Sequence, residues 1–305
     1  MPGAGPFNRA VVLGAGAVGS FLGARLSRVV PTVLVARAEH VAAINDHGLR
    51  LSGELDETVR LDAATGMPEC EPSALVIVAV KTRSIPSAAE ALASGTGENG
   101  PVLCVLNGLD PDAALRRELA SRGRADIRVL RALTSAGCNL VRPGEVEYWG
   151  GGLAFPDTPG AREVAAIFEE AGVPVTRERD FAAEVWKKLA VNCVANPLSA
   201  ILHVRNRGVT SPELGEVRRA VVGEVAACAR DAGVELPGDF ASRIDSALAG
   251  SNNRNSMLQD IERGNPTEID ELNGRIAEMA RSGGRDAPVC LTLARLVEFL
   301  VSRRA

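Results

Sequence analysis

Short apolar runs alternate with helix-period stretches through the first half of the chain. The runs at 10–13, 32–35, 75–80, 102–106 and 127–133 are apolar almost without a break. Runs of that length separated by helical patterns predict parallel strands buried on both faces. Residues 17–28 and 161–171 carry helical patterns among them. A glycine-rich stretch at 146–153 predicts edge or antiparallel strands, and 172–175 leads out as a short extended segment.

The period changes near Phe181. Val185, Leu189 and Cys193 recur every four residues, which is one apolar face of a helix, and further helices are predicted at 213–232, 268–281 and 288–302. No strand pattern is found after residue 180. The chain therefore divides into an α/β domain over 1–176 and an all-helical domain over 177–305. A length of 305 residues suits two domains.

Charge and composition remove several function classes. A net charge of -4 leaves no basic footprint for nucleic acid, and the charges form no long like-signed block. No apolar run reaches the length of a membrane span, and the opening MPGAGPFNRA has no apolar secretory segment. Cys70, Cys104, Cys138, Cys193, Cys228 and Cys290 are widely spaced, with no CxxC pair, which predicts free thiols in a reducing cytoplasm and no metal site. His40, His47 and His203 have no ligand-spaced neighbours. Of 34 basic residues only Lys81, Lys187 and Lys188 are lysine. Codon bias accounts for such a skew, yet only the lysines can lose a proton at a tuned pKa.

Gly14-Ala15-Gly16-Ala17-Val18-Gly19 fits GxGxxG between the first strand and the first helix. Gly14 permits the tight turn, Gly16 lets a pyrophosphate reach the main chain, and Gly19 lets helix and strand pack closely. The motif in this setting predicts a Rossmann-type dinucleotide-binding domain, against the simpler reading of a structural turn. The second strand ends in Ala36-Arg37 rather than in the acid that an NAD site uses for the ribose hydroxyls. A cation there suits the 2′-phosphate of NADPH, although Glu39 is close and a solvated arginine is the plain alternative. Lys81 and Asn107 follow the third and fourth runs, where ligands meet a doubly wound sheet.

In the second domain Lys188, Asn192 and Asn196 stand at i, i+4 and i+8, so they share one helix face, while Lys187 is turned about 100° away. Two asparagines in line with a lysine inside an apolar helix call for a reason, whether a ligand or a face turned to water. Pro197 is expected to bend or interrupt that helix. Ser251–Asp260 is a polar cluster running into a helix, with Ser256 as its cap or as a ligand for a carboxylate, and Glu268 opens the next helix.

These motifs together resemble the ketopantoate reductase (2-dehydropantoate 2-reductase) family, most specifically in WKKLAVNCVANPLSA at 186–200 and NSMLQDIERGNPTEID at 255–270. The resemblance runs from Gly14 to about residue 280. It implies NADPH-dependent reduction of the C2 ketone of a 2-oxo acid to (R)-pantoate in pantothenate biosynthesis. Lys188 would be the catalytic lysine and general acid, and Glu268 its acidic partner. Asn192, Asn196, Asn253 and Ser256 would hold the substrate, Lys81 and Asn107 would stand between substrate and nicotinamide, and Arg37 would take the 2′-phosphate. Asp110 departs from the pattern, since a glycine often follows this Asn-Gly-X turn. Two domains imply hinge closure on cofactor and substrate, and the expected state is a monomer or homodimer. The alternatives are a reductase of another 2-oxo acid and a non-catalytic NADP(H) sensor.

Overall fold

The computed structural model describes residues 6–97 and 100–303. Contacts divide the chain into two units, Met1–Arg179 and Asp180–Ala305. The change falls three residues beyond the expected 176, because the last strand of the first unit runs on to Glu178.

The first unit begins β1 (Arg9–Leu13), α1 (Ala17–Leu26), β2 (Thr32–Val35), α2 (Ala38–His47), β3 (Leu49–Gly53), β4 (Glu57–Val59) and β5 (Asp62–Ala64). It continues β6 (Ala74–Val78), α3 (Ile85–Gly95), β7 (Pro101–Cys104), α4 (Pro111–Ser121), β8 (Arg128–Arg131), β9 (Leu133–Thr134), β10 (Cys138–Arg142), β11 (Glu145–Tyr148), β12 (Leu153–Pro156), α5 (Pro159–Glu170) and β13 (Val175–Glu178). Six strands form one parallel sheet in the order β5-β2-β1-β6-β7-β8. That is the doubly wound order, with its topological switch between β1 and β6. The lack of polar alternation in the strands follows from this placement. Ala10 and Val12 enter the core on one face of the sheet, and Val11 and Leu13 enter the core on the other.

The expected run at 127–133 is two strands, β8 and β9, and the glycine-rich stretch supplies β11, antiparallel to β10 and parallel to β3. A second sheet, β10-β11-β3-β4, covers α1, where Phe21 stacks on Tyr148 with ring centroids 4.2 Å apart. Arg25 fixes the other end of α1, donating to Ala171 O at 3.0 Å and pairing with Glu57 at 3.1 Å.

The second unit holds α6 (Phe181–Leu202), α7 (Gly215–Asp231), α8 (Phe240–Ala249), α9 (Ser256–Glu262), α10 (Arg275–Ser282) and α11 (Pro288–Ser302). A single π-helical turn, Asp270–Gly274, leads into α10. The helix expected at 268–281 is therefore shorter, and Glu268 precedes it. Buried α6 packs against α7, α9, α11 and the π-helical turn. Arg218 of α7 grips the Asp245 carboxylate of α8 at 2.6 and 3.1 Å. The Glu224 carboxylate accepts from Val289 N and Cys290 N at 2.9 and 2.7 Å, which satisfies the open start of α11.

Candidate active site

The three glycines of the loop differ in the room around them. Gly14 has φ +94°, and a Cβ there would lie 2.7 Å from Val80 N and 2.9 Å from Ala79 C. A Cβ on Gly19 would lie 2.5 Å from Gly14 O. Both positions are glycine because the protein itself leaves no room. Gly16 differs: a Cβ there would meet nothing within 4 Å. The protein does not need that glycine for its own packing, which leaves the main chain there open to a ligand's approach. Gly16 is also the N-cap of α1, with no side-chain cap and no acid in the first turn, so Ala17, Val18 and Gly19 begin a helix whose positive end is open to an anion. The loop fits a dinucleotide.

The neighbouring strand ends gather at the switch point. Ala79 N donates to Leu13 O at 2.9 Å and Val105 N to Val78 O at 3.0 Å, which aligns the exits of β1, β6 and β7. Lys81 and Asn107 each stand three residues beyond their strands, since β6 and β7 end earlier than the apolar runs. Both side chains are half-buried. Arg37 caps α2 at the exit of β2; it is exposed and has no ion-pair partner among the described residues. Glu39 is exposed in the first turn of the same helix.

Sequence reasoning missed Arg131, which holds the loop after β7. Its guanidinium donates to Gly108 O at 2.6 Å and to Leu109 O, and it pairs with Asp112 at 3.4 Å. Burial pulls the Arg131 pKa down, and Asp112 opposes that shift. Asn107 is thereby carried on a pinned turn. Asp110 occupies the N-cap position of α4 and is exposed.

In the helical unit Lys188 and Asn192 are half-buried and Asn196 is only 5% exposed, so the polar face of α6 grows more buried toward its C-terminal end. Lys187 takes the other face and pairs with Glu184 at 2.7 Å. Pro197 does not interrupt α6, which continues to Leu202. Proline has no N–H, so Cys193 O loses its usual intrahelical donor. The Asn273 side chain, wholly buried on the π-helical turn, donates to that oxygen at 3.0 Å. This bond ties the turn just after Glu268 to the helix that bears Lys188. Glu268 itself is half-buried.

The segment before α9 is anchored in the same manner. Asn255, not Ser256, caps α9, accepting from Leu258 N at 3.1 Å. Its amide also donates to Ala195 O at 3.2 Å and to Asn206 Oδ1 at 2.9 Å. Asn253 lies in this segment and accepts from Asn206 N at 3.0 Å through its carbonyl, while Ser256 is exposed at the first position of α9. Asn206 and Asn273 leave no local pattern in the sequence, because their side-chain partners, Ser251 and Asn255 for the one and Cys193 O for the other, are distant along the chain. Cys193 of α6 and Cys290 of α11 are buried, and burial pushes both thiols up.

The ketopantoate reductase PanE/ApbA family model matches residues 10–155, and its C-terminal counterpart matches 180–301. The 2-dehydropantoate 2-reductase of Pyrococcus abyssi is 32% identical over 301 residues, covering 94% of this chain and 96% of that one. A PanE/ApbA family ketopantoate reductase from Ralstonia eutropha JMP134 superposes with a TM-score of 0.87 at 33% identity, over 97% of this chain and 99% of the other. A D-mandelate dehydrogenase solved with NADH and anilino(oxo)acetate has a TM-score of 0.86 at 23% identity, over 97% and 99% of the two chains, a likeness of fold alone. No helix among the described residues is long and apolar enough to cross a membrane. The chain belongs to the ketopantoate reductase PanE/ApbA family and is an NAD(P)-dependent oxidoreductase.

Proposed function

We propose that this protein reduces 2-dehydropantoate to (R)-pantoate with NADPH, in the cytoplasm, a compartment that suits its six free thiols. The observation that carries the reading is the single polar face of Lys188, Asn192 and Asn196 on an unbroken helix whose missing hydrogen bond at Pro197 is replaced by Asn273. NADPH supplies the hydride to C2 of the ketone. The protein's part is to hold, orient and protonate. Ala17, Val18 and Gly19, at the start of α1, would offer main-chain N–H groups to the pyrophosphate, and Gly14, Ala15 and Gly16, whose N–H groups are held by Val35 O and Gly14 O, would form the turn it approaches. Arg37 would take the 2′-phosphate, its exposed and unpaired guanidinium being the support for NADPH over NADH. Lys81 and Asn107 would line the nicotinamide end.

As hydride adds to carbon, the C=O π pair moves onto oxygen. The Lys188 ammonium stabilises that charge and passes one Nζ proton to the oxygen, giving the hydroxyl; solvent then restores the lysine. Glu268 orients the ammonium. Asn192, Asn196, Asn253 and Ser256 hold the carboxylate and hydroxyl groups of the substrate.

The test is NADPH oxidation with 2-dehydropantoate, repeated with NADH and with a panel of other 2-oxo acids. The reading expects the highest kcat/KM for 2-dehydropantoate with NADPH. A higher value for another 2-oxo acid, or no turnover despite cofactor binding, contradicts it.

A further inference from the structure

One buried histidine in the Rossmann-type unit has no part in the chemistry above. His40 lies on α2 and is 5% exposed. Its Nδ1 receives the Gly144 main-chain N–H at 2.9 Å, and its Nε2 lies 2.9 Å from Ser20 Oγ. A main-chain N–H can only donate, so Nδ1 carries no proton and the neutral ring holds its proton on Nε2. Nε2–H therefore donates to Ser20 Oγ. The Ser20 hydroxyl in turn donates to Ala15 O at 3.1 Å. The chain of bonds runs in one direction, from the Gly144 turn through His40 and Ser20 to the glycine loop.

The last acceptor is the informative one. Ala15 O and Gly16 N belong to the same planar peptide, so fixing that oxygen fixes the direction of the Gly16 N–H. The other end of that peptide is held as well, Gly16 N donating to Gly14 O at 2.8 Å. The central peptide of the loop is thus anchored at both ends, at the glycine of the three in the loop whose Cβ space is empty.

We propose that His40 is a positioning residue for the dinucleotide: with Ser20 it sets the Ala15–Gly16 peptide, and protonation of the ring loosens that peptide and weakens cofactor binding in acid. The proposal rests on the cofactor reading given above. A protonated ring carries N–H at both nitrogens, and the one on Nδ1 would face the Gly144 N–H, donor against donor. Burial lowers the His40 pKa below its ordinary 6.5, so the neutral form prevails at neutral pH and the change falls on the acid side. Charged groups on the elements packed around it are already engaged or turned to solvent. Arg25 of α1 pairs with Glu57, Arg50 of β3 with Asp56, and Arg142 of β10 with Glu145, while Glu39, Asp46 and His47 of α2 are exposed.

The experiment is NADPH binding by fluorescence titration between about pH 8 and pH 5.5 for the wild type, His40→Gln and Ser20→Ala. The 2′-phosphate also titrates near pH 6, but equally in all three proteins, so the ratio of Kd values isolates His40. At the alkaline end each variant should bind about fivefold more weakly than wild type, the size of one modest net hydrogen bond. The ratio should shrink toward one in acid, and the loss should appear in the KM for NADPH more than in kcat. Parallel pH profiles, with a constant ratio, overturn the proposal. A wild type that binds no NADPH at any pH overturns the cofactor reading instead, and the proposal with it. Nitrogen NMR of the cofactor-free wild type gives a second readout that needs no variant to fold. It should find His40 neutral with its proton on Nε2, and a proton on Nδ1 at neutral pH overturns the assignment.

Discussion

The candidate sites of the two units are built from different material. The Rossmann-type unit works by what is left out: Gly14 and Gly19 because the backbone crowds them, Gly16 because space there is kept open. The helical unit works by what is put in, with Lys188, Asn192 and Asn196 along α6 and two further asparagines, Asn255 and Asn273, donating to the α6 carbonyls Ala195 O and Cys193 O from outside. A site made of main chain is specified by small residues at fixed spacing. A site made of side chains needs a rigid helix and distant groups to satisfy it. The two should break differently.

The largest effect is expected within the glycine loop. Gly14→Ala forces a side chain onto a left-handed backbone and against Val80 N, and should cost about 3 kcal/mol or more of stability as well as cofactor binding. Gly16→Ala should leave stability within about 1 kcal/mol of wild type while weakening NADPH binding at least about tenfold. Chemical denaturation beside a binding titration checks both, and equal destabilisation by the two would remove the distinction between crowded and reserved glycines.

Arg37→Ala comes next. It should raise the KM for NADPH by about 10–100-fold, the worth of a charge-assisted contact, and leave that for NADH nearly unchanged. In the helical unit, Asn273→Ala strands Cys193 O in the core and should cost about 1–3 kcal/mol. Pro197→Ala restores an N–H four residues after Cys193, so in that background the same substitution should cost less. A double-mutant cycle measured by denaturation checks the coupling. The smallest effect concerns Asp270, whose carboxyl is raised by burial and by Glu298. Such a group binds more protons folded than unfolded, so stability is lost as pH rises from the ordinary 3.8 through the raised native value. Asp270→Asn should therefore raise Tm slightly at neutral pH, and thermal melts should find the gap closing as pH falls toward about 4.

The same contrast explains what the sequence disclosed. The parallel strands and the glycine loop were legible because burial on both faces and absent side chains leave marks within a few residues. The face of Lys188, Asn192 and Asn196 was legible from helical spacing alone. Three features were not. Pro197 suggested a break in α6, but a remote asparagine supplies the missing bond. Ser256 suggested a cap, but Asn255 one residue earlier takes the N–H. The relay through His40 joins α1, α2 and a turn more than a hundred residues away, and no local pattern records it. What tertiary contacts repair or connect cannot be read from spacing.

The central claim is that Lys188 is the proton donor and that the helical unit carries the reaction while the Rossmann-type unit carries the cofactor. The measurement that tests it most directly is kcat for Lys188→Ala together with its Kd for NADPH. In Lys188→Ala kcat should fall by about 10²–10⁴-fold, the usual worth of general acid catalysis, with Kd for NADPH within about threefold of wild type. Lys188→Arg should be similarly poor, since a guanidinium keeps its proton. Near-normal kcat in Lys188→Ala, or a loss confined to cofactor binding, would contradict it.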